Sequence, residues 1–183
     1  MRKLISILTM AGLALAMHAQ ETNLVKTEIE NFEARTNTVI IKGFGQIGSA
    51  SFGVGTVSIR SKETIDASTG SKAYGIMLEL EGQNIPRQQA ILDEFELEPL
   101  ANGLEYLAKI TSDVSALPSF TAEFKTRSGL QFIAHSGRRQ SSIAYFIKFD
   151  QNPRVSLNTD EIVQLKSMVG QAVNALNDLK RSR

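Results

Sequence analysis

The sequence predicts an α+β fold: two tandem antiparallel, strand-rich units, each followed by one amphipathic helix, that form a single compact domain. Three observations carry that expectation. Stretches of period two, rich in β-branched and aromatic residues, occur in two runs. Each run ends in an apolar stripe of helical period that opens on a capping pair. The 183 residues, 42% of them hydrophobic, are enough to bury one core.

The chain opens on an address. Arg2 and Lys3 precede Leu4 to Met17, fourteen apolar and small residues, too few for the roughly 20 that span a bilayer and the right length for a signal-peptide core. Cleavage is expected near Ala16, after the A-x-A of Ala14-Leu15-Ala16, or near Ala19, which makes 1–19 the leader and the protein periplasmic or extracellular. Without Arg2 and Lys3, 18 basic residues face 19 acidic ones, a net charge of −1. Such a balance argues against a nucleic-acid binder that works by charge alone. The absence of cysteine removes disulfides, thiolate nucleophiles and Cys-ligated metals, an economy that suits a bacterial exported domain of this size.

Residues 20–37 form a polar lead-in, in which Val25, Ile29 and Phe32 share one face of a short helix. Strands are expected at Thr38–Lys42, Thr56–Arg60 and Tyr74–Leu80, with a turn or loop over Asp66–Lys72. A helix follows, with Asp93 and Glu96 at capping-box spacing and Leu97, Leu100, Leu104 and Leu107 on one stripe. Strand signals return at Phe120–Lys125, Leu130–His135 and Ser142–Phe149, separated by Ser128-Gly129 and Ser136-Gly137. The last helix runs from Thr159 to Lys180, capped by Asn158 and Glu161, with Ile162, Leu165, Val169, Ala172, Leu176 and Leu179 on its stripe.

An offset of 65 residues lays Thr56–Lys62 on Thr121–Arg127 and Leu92–Leu100 on Leu157–Leu165, which divides the domain into pseudo-repeat units of about 38–113 and 114–183. As topology alone, over Thr38 to Lys180, this doubled order resembles the Whirly and PUR-repeat single-stranded nucleic-acid binders. The stretch FEARTNTVIIKGFGQIG is similar to exported bacterial proteins of unassigned function. Neither resemblance implies a site residue.

Candidate chemistry is sparse. Gly43-Phe44-Gly45-Gln46-Ile47-Gly48 matches the dinucleotide fingerprint, but glycine and β-branched residues follow where a helix should open, so the run reads as a glycine-rich connection between strands and no cofactor is expected. His135 is the one histidine beyond the leader. It lies on a strand face with Gln131 and Ile133 and next to Ser136, Ser141 and Ser142, which leaves a hydrolase as a secondary reading. No histidine or carboxylate cluster has metal-ligand spacing, and the acidic run Asp93–Glu98 is explained by the start of a helix.

One asymmetry is left. Residues 79–113 carry a net −6 and residues 120–154 a net +4. The principal expectation is therefore a non-catalytic exported binding or protein-interaction domain. Its partner would be an acidic protein, an extended anion or a second copy, with Arg127, Arg138 and Arg139 as the candidate anion-binding residues. Single-stranded nucleic acid on a Whirly-like sheet is the alternative, with Phe124, Phe132, Tyr145 and Phe146 among the basic residues. The hairpin turns at 127–129 and 136–139 should stand at opposite ends of the strand they share, which separates Arg127 from the other two.

Overall fold

The computed structural model describes residues 27–137 and 142–182. The leader, Val25, Arg138, Arg139 and Ser141 lie outside them. In chain order the elements are α1 (Glu28–Glu33), β1 (Ile40–Phe52), β2 (Gly55–Asp66), β3 (Lys72–Gly82), β4 (Ile85–Asp93), α2 (Glu94–Lys109), β5 (Phe120–Lys125), β6 (Leu130–Ser136), β7 (Ala144–Phe149), β8 (Val155–Leu157) and α3 (Thr159–Arg181). They build two four-stranded antiparallel meanders, β1-β2-β3-β4 and β5-β6-β7-β8, each followed by a helix. This is the α+β architecture the periodicities predict.

Both helices form where their stripes and caps place them. Leu97, Leu100, Leu104 and Leu107 of α2 are buried, as are Ile162, Leu165, Val169, Ala172 and Leu176 of α3. The Glu96 carboxylate accepts the Asp93 amide at 3.1 Å, and the Glu161 carboxylate accepts that of Asn158 at 2.7 Å. These stripes, with the inner faces of both sheets, make one continuous hydrophobic core. The exchange between the sheets is made by α3, which packs on α2 and on β1, β2 and β3 of the first sheet, while α2 bridges β3 and β4 of its own sheet and β5 and β6 of the second.

The second oxygen of each capping glutamate tightens that exchange. Glu96 Oε1 accepts the amide of Arg127 in the β5–β6 turn at 2.7 Å, and Glu161 Oε1 accepts the amide of Gly53 in the β1–β2 turn at 2.6 Å. Each helix start therefore holds the first hairpin of the other unit.

Several sequence expectations need correction. Gly43–Gly48 is not a connection. It lies inside β1, a 13-residue edge strand, and the turn falls at Gly53-Val54. An edge strand tolerates these glycines, and at Gly45 the side chain of Ser61 on β2 occupies the space, its Oγ 2.7 Å from where a Cβ would stand. Because β1 continues to Phe52, the helix that a dinucleotide site requires does not start at Gly48. β4 was not anticipated, since Pro86 and an inward-facing Gln88 interrupt its apolar alternation. The 65-residue offset places the two helix starts equivalently, but it lays β2 on β5, the second strand of one sheet on the first of the other.

Among the described residues, only the first sheet has an element over its outer side. α1 lies there on β2, β3 and β4, with Ile29 fully buried. Asp93 fixes it by accepting the amides of Glu28 at 2.7 Å and Ile29 at 3.1 Å.

Candidate functional site

The outer face of the second sheet is built by strand alternation. Leu130, Phe132 and Ala134 of β6 turn into the core with Tyr145, Ile147 and Phe149 of β7. The residues between them turn outward, and the register sets them in three rows: Lys125, Gln131 and Lys148; then Glu123, Ile133, Phe146 and Ser156; then Thr121, His135 and Ala144. At about 4.8 Å between strands, the Lys125 and Lys148 backbones stand about 10 Å apart with Gln131 between them. Arg154, just before β8, holds its guanidinium 4.6 Å from the Phe146 ring centroid.

The outer face of the first sheet is equally rich in cations, and there they are neutralised within the chain. Arg60 and Arg87 both bind Glu79, the former at 2.7 Å. Lys62 and Lys42 share Glu33 at 2.8 and 2.9 Å; on the opposite face of the same sheet, Lys72 faces Glu63 at 3.3 Å. Burial alone would raise the Glu33 pKa, but the bonds from Lys62 and Lys42 outweigh it and hold the carboxyl below its ordinary value. On the second sheet, among the described residues, Lys125, Arg127, Lys148 and Arg154 have no carboxylate within 4.0 Å. Much of the acidic charge of residues 79–113 is answered elsewhere: Lys180 binds Glu94, and Lys166 and Lys109 bind Glu105.

Of the three arginines singled out from the sequence, Arg127 is exposed, its guanidinium 4.6 Å over the Phe95 ring at the start of α2. The structure places it at the 126–129 end of β6, opposite the end that leads to residue 137. Arg138 and Arg139 lie outside the described residues. Lys125, Lys148 and Arg154 count among the six bases of residues 120–154, and strand alternation sets the first two on the outer face with Gln131 between them.

His135 faces outward, where Thr121 Oγ1 lies 3.0 Å from its Nδ1. Ser136, the next residue, turns to the buried side and is only 5% exposed, so strand alternation separates that pair. Among the described residues no group of three His, Asp or Glu side chains is arranged to hold a metal ion, and no helix is long and apolar enough to cross a membrane.

A cleft of about 860 Å³ opens between α1, the β2–β3 turn, α2 and α3. Four of the charged groups on its walls are committed, Arg35 to Asp66, Lys72 to Glu63, Glu94 to Lys180 and Asp93 to the α1 amides, and Glu28 and Glu98 line it as well.

No protein-family model matches the chain, and no curated protein or solved structure does so either.

Proposed function

We propose that this protein is a non-catalytic binding domain, exported after loss of its leader, whose second sheet takes an extended anionic partner such as an acidic protein segment. The contrast in charge pairing carries the reading. Basic side chains along the first sheet are bound to carboxylates of their own chain, whereas Lys125, Lys148 and Arg154 stand around the outer face of the second sheet with none among the described residues. Half-buried Ile133 and Phe146 add an apolar strip between them. Such a face recognises charge and extension more than shape, so binding should weaken as salt rises. Export rests on the positive start, the fourteen-residue apolar run and the A-x-A site.

Single-stranded nucleic acid fits less well. A stacking platform presents several aromatic faces to solvent. Phe132 and Tyr145 turn into the core, Phe124 is packed against it, and Phe146 alone of the four lies on the outer rows.

The test is a titration with polyglutamate and, separately, with a single-stranded DNA oligonucleotide, at about 50 and 200 mM salt. The parent should bind polyglutamate more tightly at the lower salt. Lys125→Ser with Lys148→Ser should weaken that binding about tenfold while leaving the melting temperature unchanged. Arg87→Ser, which removes a cation already bound to Glu79, is the control. A double variant that binds as the parent does refutes the assignment, and preference for the oligonucleotide transfers it to nucleic acid.

A further inference from the structure

The first sheet ends at β1, and among the described residues no strand pairs with its outer edge. Sheet edges are usually blunted by charge, proline, shortness or a bulge. β4 carries Pro86 and Arg87, β8 has three residues, and β5 bears Glu123 and Lys125. β1 is the longest strand, about 43 Å for its 13 residues. Its only charged side chain is Lys42, which is bound to Glu33 of its own chain. Ile41 and Phe44 are half exposed, at 50% and 52%, and Val39, just before the strand, is 68% exposed. The bulge between Gln46 and Gly48 bends the strand, so the regular stretch of edge is Ile40–Gln46.

That seven-residue stretch is complementary to itself. Laid antiparallel on a second copy about Gly43, it sets Lys42 opposite Phe44 twice, once in each direction, so that a cation meets an aromatic ring at both places. It also sets Ile41 opposite Gly45 on the other face, where the larger side chain covers the bare backbone. No two lysines face each other directly, and Gly43 meets Gly43. A strongly charged partner strand would find no counter-charge here, because Lys42 is already neutralised. We infer that β1 is an interface between two copies of this chain, joined by antiparallel pairing of Ile40–Gln46 about a two-fold axis at Gly43. The pairing extends the four-stranded sheet into one of eight strands across the dimer.

Because the chain has no cysteine, a single introduced one reports the register. A Cβ at Gly43 meets nothing nearer than 3.9 Å, so Gly43→Cys fits. Directly opposed residues of antiparallel strands lie close enough for a disulfide. The experiment expresses the protein from its full sequence and measures molar mass by light scattering across a dilution series, then oxidises Gly43→Cys and Ser51→Cys under mild conditions. The parent should show twice the monomer mass at about 100 µM and fall toward the monomer on dilution. Phe44→Lys, which replaces the ring facing Lys42 of the other copy by an ammonium group with no counter-charge, should be monomeric at all concentrations with the far-UV circular dichroism of the parent and a melting temperature that no longer depends on concentration. Gly43→Cys should cross-link and Ser51→Cys should not. A monomeric parent at the highest concentration overturns the interface, as does a dimer that survives Phe44→Lys. Equal cross-linking of the two cysteine variants overturns the register.

Discussion

Gly75→Ala tests whether α1 is seated as the structure has it. Gly75 sits on β3 directly beneath α1, where a Cβ would stand 2.2 Å from the Leu92 carbonyl oxygen and 2.4 Å from Ile29 Cδ1. Ordinary contact is about 3.5–4.0 Å, so one methyl group demands more than an ångström of movement. The Leu92 oxygen belongs to the backbone of β4 and cannot rotate away, so β4 or α1 must shift. Overpacking of this kind costs about 1–3 kcal/mol, and a value near 2 kcal/mol lowers the melting temperature by roughly 4–8 °C in a chain of this length. Urea unfolding gives the free energy directly. Gly170→Ala is the counterpart: it lies inside α3, a Cβ there meets nothing within 4 Å, and alanine should stabilise the helix by about 0.5–1 kcal/mol. Ile29→Ala in the Gly75→Ala background should cost less than the sum of the single changes, because the new methyl group enters the space that Ile29 leaves. If Gly75→Ala unfolds within 0.5 kcal/mol of the parent, α1 does not lie on Gly75, and the difference between a covered first sheet and an open second one falls with it.

Glu96→Gln and Glu161→Gln each remove the charge from a buried double acceptor. Each should cost about 1–2 kcal/mol in urea unfolding, and the two costs should add, since the sites share no partner; strong coupling between them would show the two helix starts to be one network. On the acid side, Glu33 is held below its ordinary 4.5 by Lys62 and Lys42 against the opposing effect of burial. The hydroxyls of Ser68 and Thr38, ahead of Arg35, hold Asp66 below its ordinary 3.8. Both groups bind fewer protons folded than unfolded near pH 4. Their stabilisation is complete above those ordinary values and is lost as pH falls through the depressed ones. Unfolding free energy should therefore rise with pH between about 3 and 5, and Glu33→Gln should flatten the slope. The exposed Glu105, held at about 2 by Lys109 and Lys166, should contribute little once salt is added.

What was legible in the sequence was local. The capping pairs Asp93/Glu96 and Asn158/Glu161 and the leucine stripes name the starts of two helices, and the end of α3 to within a residue, because cap and period are both set within a few turns of chain. Ile29 and Phe32 marked α1 for the same reason. β4 was hidden because an edge strand accepts Pro86 and because Gln88 occupies a core-facing position that periodicity expects to be apolar. The glycines of β1 read as a loop because nothing local shows Ser61 filling the space beside Gly45. The candidate site suffered most. Whether a lysine is free depends on partners far away in the chain, such as Glu33 for Lys62 or Glu94 for Lys180, and no window along the sequence contains both. Alternation did place His135 with Gln131 and Ile133 on the open face, but the Arg154–Phe146 stack needs β7 and β8 to be paired first.

The two crossed carboxylate ties have a consequence for how the molecule comes apart. Severing the connector between α2 and β5 would break no sheet hydrogen bond and no helix. Yet each half would lose the carboxylate that holds its leading hairpin and the helix that shields part of its sheet. Neither half is a self-sufficient folding unit, because the groups that complete it are carried by the other. Heat or denaturant should therefore melt the molecule in one cooperative step, and two separately made halves carry the complementary surfaces needed to reassemble without a covalent link.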